Sequence, residues 1–88
     1  MNIFLRRILE RLIKTGNLTV TGPDDTTHPF GDGSGDAVHL VIHTRHAERA
    51  IAFDPMLALP EAYMDGELDI VQGDMLAVLK LAYRNMGP

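Results

Sequence analysis

The sequence predicts an α+β domain: a small antiparallel sheet of about four strands with helices packed on one face. Three observations lead there. Residues 3–14 carry apolar side chains at helical spacing. Three short stretches, 17–21, 37–44 and 67–72, alternate with period two, and 26–30 returns from a turn as the partner of the first. Glycine, proline and aspartate separate these stretches at every joint. Only one side of each strand is strongly apolar, so one sheet face is covered and the other meets water.

Ile3 to Lys14 reads as the first helix. Phe4, Leu5, Ile8, Leu9, Leu12 and Ile13 share a broad arc; Arg6, Arg7, Glu10, Arg11 and Lys14 share the other, and Ile3 is the misfit. Gly16 is expected to close it as a left-handed cap. Asn17 to Thr21 follows as a strand with Leu18 and Val20 inward. Gly22-Pro23-Asp24-Asp25 turns the chain, and Thr26 to Phe30 returns to complete a hairpin. After the loop Gly31 to Asp36, Ala37 to Thr44 places Val38, Leu40 and Ile42 on one side and His39, Val41 and His43 on the other.

Thr44 is a suitable cap for a helix from Arg45 to Phe53, and Asp54-Pro55 ends it. Pro60 is placed in the first turn of a further short helix reaching Met64, broken at Gly66. Glu67 to Gln72 is a strand with Leu68 and Ile70 inward. Gly73-Asp74 turns the chain again, and Asp74 caps a last helix from Met75 to Asn85.

At 88 residues, with 45% hydrophobic and 23% charged residues, the chain is read as one domain, residues 1–88. The lack of cysteine excludes a disulfide framework, a thiolate nucleophile and a Cys-based zinc site. No apolar run approaches the roughly 18 residues of a membrane span, and charges at Arg6, Arg7, Glu10 and Arg11 interrupt any signal-peptide core. The net charge of −4 is uneven. Residues 1–21 hold four basic side chains against Glu10, a net +3, while the remainder holds four basic against eleven acidic, a net −7. That balance argues against general nucleic-acid binding and leaves room for one local anionic partner, such as a phospholipid surface.

Motifs for chemistry are missing where they would be expected. In the loop GDGSGD, Asp36 replaces the third glycine of a dinucleotide fingerprint, and a strand follows instead of a helix. A calcium loop starting at Asp32 would need Gly at position 37 and Glu at position 43, where Ala37 and His43 stand. His39 and His43 lie roughly 13 Å apart along one strand, too far to share an ion. Asp65, Glu67 and Asp69 read as a solvated strand edge rather than a catalytic pair. The chain alone is therefore expected to be inactive.

Two helices carry the functional expectations. The basic residues of the first, Arg6, Arg7, Arg11 and Lys14, are candidates for contact with anionic lipid, against the simpler alternative that they only face water. The last helix is apolar nearly all round, with Lys80 and Arg84 on one narrow stripe. Leu76, Leu79, Leu81 and Tyr83 are thus candidates for an interface with a second domain, a second copy or lipid. The chain reads as though cut at a domain boundary just beyond it.

The segment LALPEAYMDGELDIVQGDMLAVLKLAYRN, Leu57 to Asn85, resembles the N-terminal segment of bacterial cyclopropane-fatty-acyl-phospholipid synthases. Their Gly/Pro-Glu-x-Tyr-Met-Asp-Gly run is matched by Glu61, Tyr63, Met64, Asp65 and Gly66. The basic helix, LTV, FGDGSG and the alternating strand upstream are similar to it too, so the resemblance covers nearly the whole chain. It implies a bacterial enzyme of lipid synthesis that adds a methylene from S-adenosylmethionine across an acyl-chain double bond. The cofactor and the catalytic residues belong to a C-terminal methyltransferase domain, so none is carried over here. The expected partners are that domain and a phospholipid membrane surface, with a second copy in a homodimer as the other cover for the apolar last helix. The implied location is cytoplasmic, peripheral to the inner membrane. YMDGELDIVQGDMLAVLKL is also similar to part of sterol-carrier-like domains, which implies a lipid-cavity fold as an alternative. Within the motif, Tyr63 and Met64 are expected in the core beneath a positive-φ Gly66.

Overall fold

The structure, a computed structural model, describes residues 1–86. Its elements run α1 (Ile3–Leu12), β1 (Asn17–Thr21), β2 (Thr27–Phe30), β3 (Ala37–Ile42), α2 (Arg45–Phe53), α3 (Pro55–Met64), β4 (Leu68–Gln72) and α4 (Met75–Met86). The architecture is α+β with one four-stranded sheet, ordered β2-β1-β3-β4.

The sheet is mixed rather than wholly antiparallel. β1 pairs antiparallel with β2 and β3 antiparallel with β4, but β1 and β3 run parallel, Val20 opposite Leu40. The hairpin explains this. β2 carries the chain back to the start of β1, and the loop after it passes beneath that start. There Gly33 N–H donates to the Gly16 carbonyl at 2.8 Å and Gly16 N–H donates to Asp32 Oδ1 at 3.0 Å. β3 then leaves on the far side in the same direction as β1, so the parallel pair needs no crossover helix. The loop is close enough that a Cβ on Gly31 would lie 2.4 Å from the Gly16 carbonyl oxygen, and Gly31 has φ +90°.

The inward residues of the central strands, Leu18, Val20, Val38, Leu40 and Ile42, are all buried. They meet Leu5 and Leu9 of α1, Ala47 and Ile51 of α2, Ala58 and Ala62 of α3, and Val78 and Leu81 of α4. On the other face Thr19, Thr21, His39 and Val41 are half-buried.

Each helix starts on a side-chain oxygen. Asn2, Thr44, Asp54 and Asp74 accept from Phe4, Ala47, Leu57 and Ala77 N–H groups respectively. Two helix boundaries differ from expectation. α1 ends at Leu12, with Ile13 already extended, so Gly16 is not its cap. The +118° φ of Gly16 serves the entry to β1, where a Cβ would collide with the Leu81 side chain. α3 begins at Pro55, leaving Pro60 inside the helix rather than in its first turn. An interior proline removes one i→i−4 hydrogen bond. It is accommodated here on a helix whose core contacts are small alanines.

Candidate functional site

The outer side of α1 combines cations with apolar side chains. At roughly 100° per residue, Ile3, Phe4, Arg7 and Arg11 fall within about 100° of arc, opposite buried Leu5 and Leu9. Phe4 is 69% exposed although its spacing suggested the core. It stands about 100° around the helix from Leu5, beyond the edge of the buried stripe formed by Leu5 and Leu9. Arg6 pairs with Glu10 at 3.2 Å. Arg7, Arg11 and Lys14 are exposed, and none has a carboxylate within 4.0 Å among the described residues.

The end of α1 is tied to the end of α4. Asn85 Oδ1 accepts from Lys14 N–H at 2.8 Å and Thr15 N–H at 2.9 Å, while its Nδ2 donates to the Thr15 carbonyl at 2.8 Å. Lys14 is thereby placed beside the end of α4 that carries Arg84. Nothing in the local sequence signals this tie. An asparagine in a last helical turn is ordinary until the tertiary fold brings another chain end to it.

The remaining candidates separate. All of Glu61, Tyr63, Met64, Asp65 and Gly66 are exposed. The expectation that Tyr63 and Met64 enter the core is therefore wrong: Met64 is 83% and Tyr63 46% exposed. Ala58 and Ala62, one turn apart, form the buried stripe of α3, and Met64 projects well away from it. Gly66 does have positive φ, +75°. On α4, Leu76 and Tyr83 face outward and Leu79 is half-buried, but Leu81 is only 8% exposed and belongs to the core rather than to an interface. Sequence reading also missed Phe53, 92% exposed where α2 gives way to α3. Its position two residues beyond buried Ile51 placed it off the core stripe.

The polar groups form local locks. His43 Nε2 lies 2.7 Å from Asp69 Oδ2, joining the residue just after β3 to the edge strand β4. Glu67 accepts from the Thr44 hydroxyl at 2.8 Å and lies 3.2 Å from His46 Nδ1. These bonds, the hydroxyl first, hold the Glu67 carboxyl below its usual range. His39 Nε2 is 2.8 Å from Thr21 Oγ1 across the parallel pair. The N-terminal ammonium and Thr26 hold Asp24 well below the carboxylate range. Asp32, bonded by the Ser34 hydroxyl and by Gly16 and Ser34 N–H groups, is lowered to about 2. Buried Glu48 accepts from Asn2 N–H at 2.8 Å, binding α2 to the start of α1. Among the described residues no group of three or more His, Asp and Glu side chains converges on a possible metal position. No helix among them is long and apolar enough to cross a membrane.

An apolar cavity of about 40 Å³ lies between the sheet and the four helices, with Leu12, Ile51, Met56, Leu59 and Ala82 along it. A larger open groove, about 640 Å³, runs between α4 and the loop 31–36.

No curated protein matches the chain. Residues 4–88 match a family model described as a domain of unknown function, DUF7884. Since that match takes in all of the chain beyond its first three residues, the protein belongs to the DUF7884 family.

Proposed function

We propose that this chain is the non-catalytic N-terminal domain of a cyclopropane-fatty-acyl-phospholipid synthase, and that it brings the enzyme to membrane phospholipid. Its covalent partner is then a C-terminal methyltransferase domain that binds S-adenosylmethionine, and the site of action is the cytoplasmic surface of the inner membrane. The outer face of α1 carries the reading. Arg7, Arg11 and Lys14 lack acidic partners among the described residues, and exposed Ile3 and Phe4 stand beside them. Apolar side chains flanked by cations suit the boundary between headgroups and acyl chains. Near an anionic bilayer each cation contributes about 1 kcal/mol, fading within a Debye length. A few such charges give reversible docking, which suits an enzyme that moves between lipids. The carrier alternative has less support, because a cavity of about 40 Å³ is far below the roughly 300–1,000 Å³ of a small-molecule pocket.

Exposed Phe53 and Met64, with Leu76 and Tyr83 on α4, favour a second reading. Here the domain is an interaction module covered by the methyltransferase domain or by a second subunit. Vesicle sedimentation separates the two. At low salt the chain should sediment with anionic vesicles more than with neutral ones. Reversing Arg7, Arg11 and Lys14 to Glu should abolish this without altering the fold. If the triple variant sediments as the parent does, the membrane reading fails and the interaction module replaces it.

A further inference from the structure

The open groove beside α4 has walls of both charges. Lys80 and Arg84, one helical turn apart, supply two cations, and neither has a carboxylate within 4.0 Å among the described residues. Arg84 Nη2 instead donates to Ser34 Oγ at 2.9 Å. Its guanidinium rests against Gly35, where an added Cβ would lie 3.0 Å from Nη1. Asp36 and Asp74 line the same groove, and Asp74 Oδ1 is engaged by Ala77 N–H at 2.8 Å. Leu76, exposed, stands at its margin.

A lone anion would be repelled by the two carboxylates, and a lone cation by Lys80 and Arg84. A ligand carrying both charges satisfies both walls. The ammonium and guanidinium offer several donors, more than a carboxylate needs and well matched to the oxygens of a phosphate. The Ser34 hydroxyl is not among them, since it donates to Asp32 Oδ1 at 2.6 Å and only holds Arg84 in place. The groove volume of about 640 Å³ lies within the range of small-molecule sites, roughly 300–1,000 Å³. We infer that the groove binds the zwitterionic headgroup of an amine-bearing phospholipid. The phosphate lies on Lys80 and Arg84, the ammonium lies toward Asp36 and Asp74, and the glycerol passes Leu76. This inference rests on the membrane reading of the domain. It adds a headgroup preference that the basic face of α1 cannot supply, because unpaired cations there distinguish lipids only by net charge.

The test is an amide NMR titration of the 88-residue chain with glycerophosphoethanolamine, glycerol 3-phosphate and inorganic phosphate. Glycerophosphoethanolamine should shift Gly35, Asp36 and Lys80 resonances, with an affinity about threefold or more above that of glycerol 3-phosphate. Lys80→Gln should weaken both by about tenfold while leaving the rest of the spectrum unchanged. Asp36→Asn should erase only the preference for the amine. Equal responses to glycerophosphoethanolamine and inorganic phosphate would overturn the inference, as would shifts that survive Lys80→Gln. Absence of any shift, with anionic-vesicle sedimentation intact, would also overturn it and leave the membrane reading standing. Absence of both would remove the two together.

Discussion

Asn85 closes the fold by replacing backbone partners for Thr15. Its Oδ1 accepts the Thr15 N–H at 2.9 Å and its Nδ2 donates to the Thr15 carbonyl at 2.8 Å, across 70 residues of sequence. The same oxygen takes Lys14 N–H, and Nδ2 also reaches the Leu81 carbonyl. One side chain thus satisfies the chain leaving α1 and the last turn of α4.

Asn85→Ala should therefore destabilise more than a surface substitution. Partly buried N–H and C=O groups left without partners cost about 1–3 kcal/mol. Urea unfolding of the variant should show this loss. Asn85→Asp should recover part of it, since an acceptor remains while the donor is gone. A loss below half a kilocalorie per mole in Asn85→Ala would mean that water replaces the side chain fully.

On α3 and α4, stability should divide by burial and not by hydrophobicity. Leu81→Ala removes a core side chain and should cost about 2–5 kcal/mol. Met64→Ala and Leu76→Ala remove exposed ones and should change stability by less than about 0.5 kcal/mol. Denaturant midpoints of the three variants check this. A large loss in Met64→Ala would restore the buried motif that the sequence suggested.

Gly66 should resist substitution for conformational reasons alone. Its φ is +75°, and a Cβ there would meet nothing within 4 Å. Gly66→Val should lose more than the roughly 1–2 kcal/mol of a left-handed residue, since a β-branched side chain is least suited to positive φ. Gly66→Asn should lose less than Gly66→Val. Equal losses in thermal melts would point to a steric cause instead.

Acid should weaken the loop beneath β1. Asp32 is lowered from 3.8 to about 2 by bonds that need its charged form. A depressed carboxyl contributes stability above its unfolded pKa, and the contribution is lost as pH falls toward the folded value. Its share is thus intact above pH 4 and declines between about 4 and 2. Asp24, shifted the same way by the N-terminal ammonium, adds to the same limb. Asp32→Asn should flatten the acid limb of the urea midpoint between pH 4 and 2. An unchanged limb would assign acid sensitivity to other carboxylates.

The sequence by itself determined the local elements, because their causes are local. Alternation in Leu18-Val20 and Val38-Leu40-Ile42 depends on the strand period. Thr44 and Asp74 cap helices through bonds three residues away, and positive φ at Gly66 follows from the break after α3. What it left open depended on where distant segments meet. Strand direction was decided by the loop bonds at Gly16, which turn a hairpin return into a parallel β1–β3 pair. Burial of Leu81 and exposure of Met64 and Phe4 were decided by which side of each helix packs on the core. An apolar pattern shows that a face can be covered, and only the packed neighbours decide which side chains are reached. The groove lies furthest from sequence reading, since Ser34 and Arg84 are 50 residues apart and meet only in the fold, where α4 is packed through Val78 and Leu81 and tied to the end of α1 by Asn85.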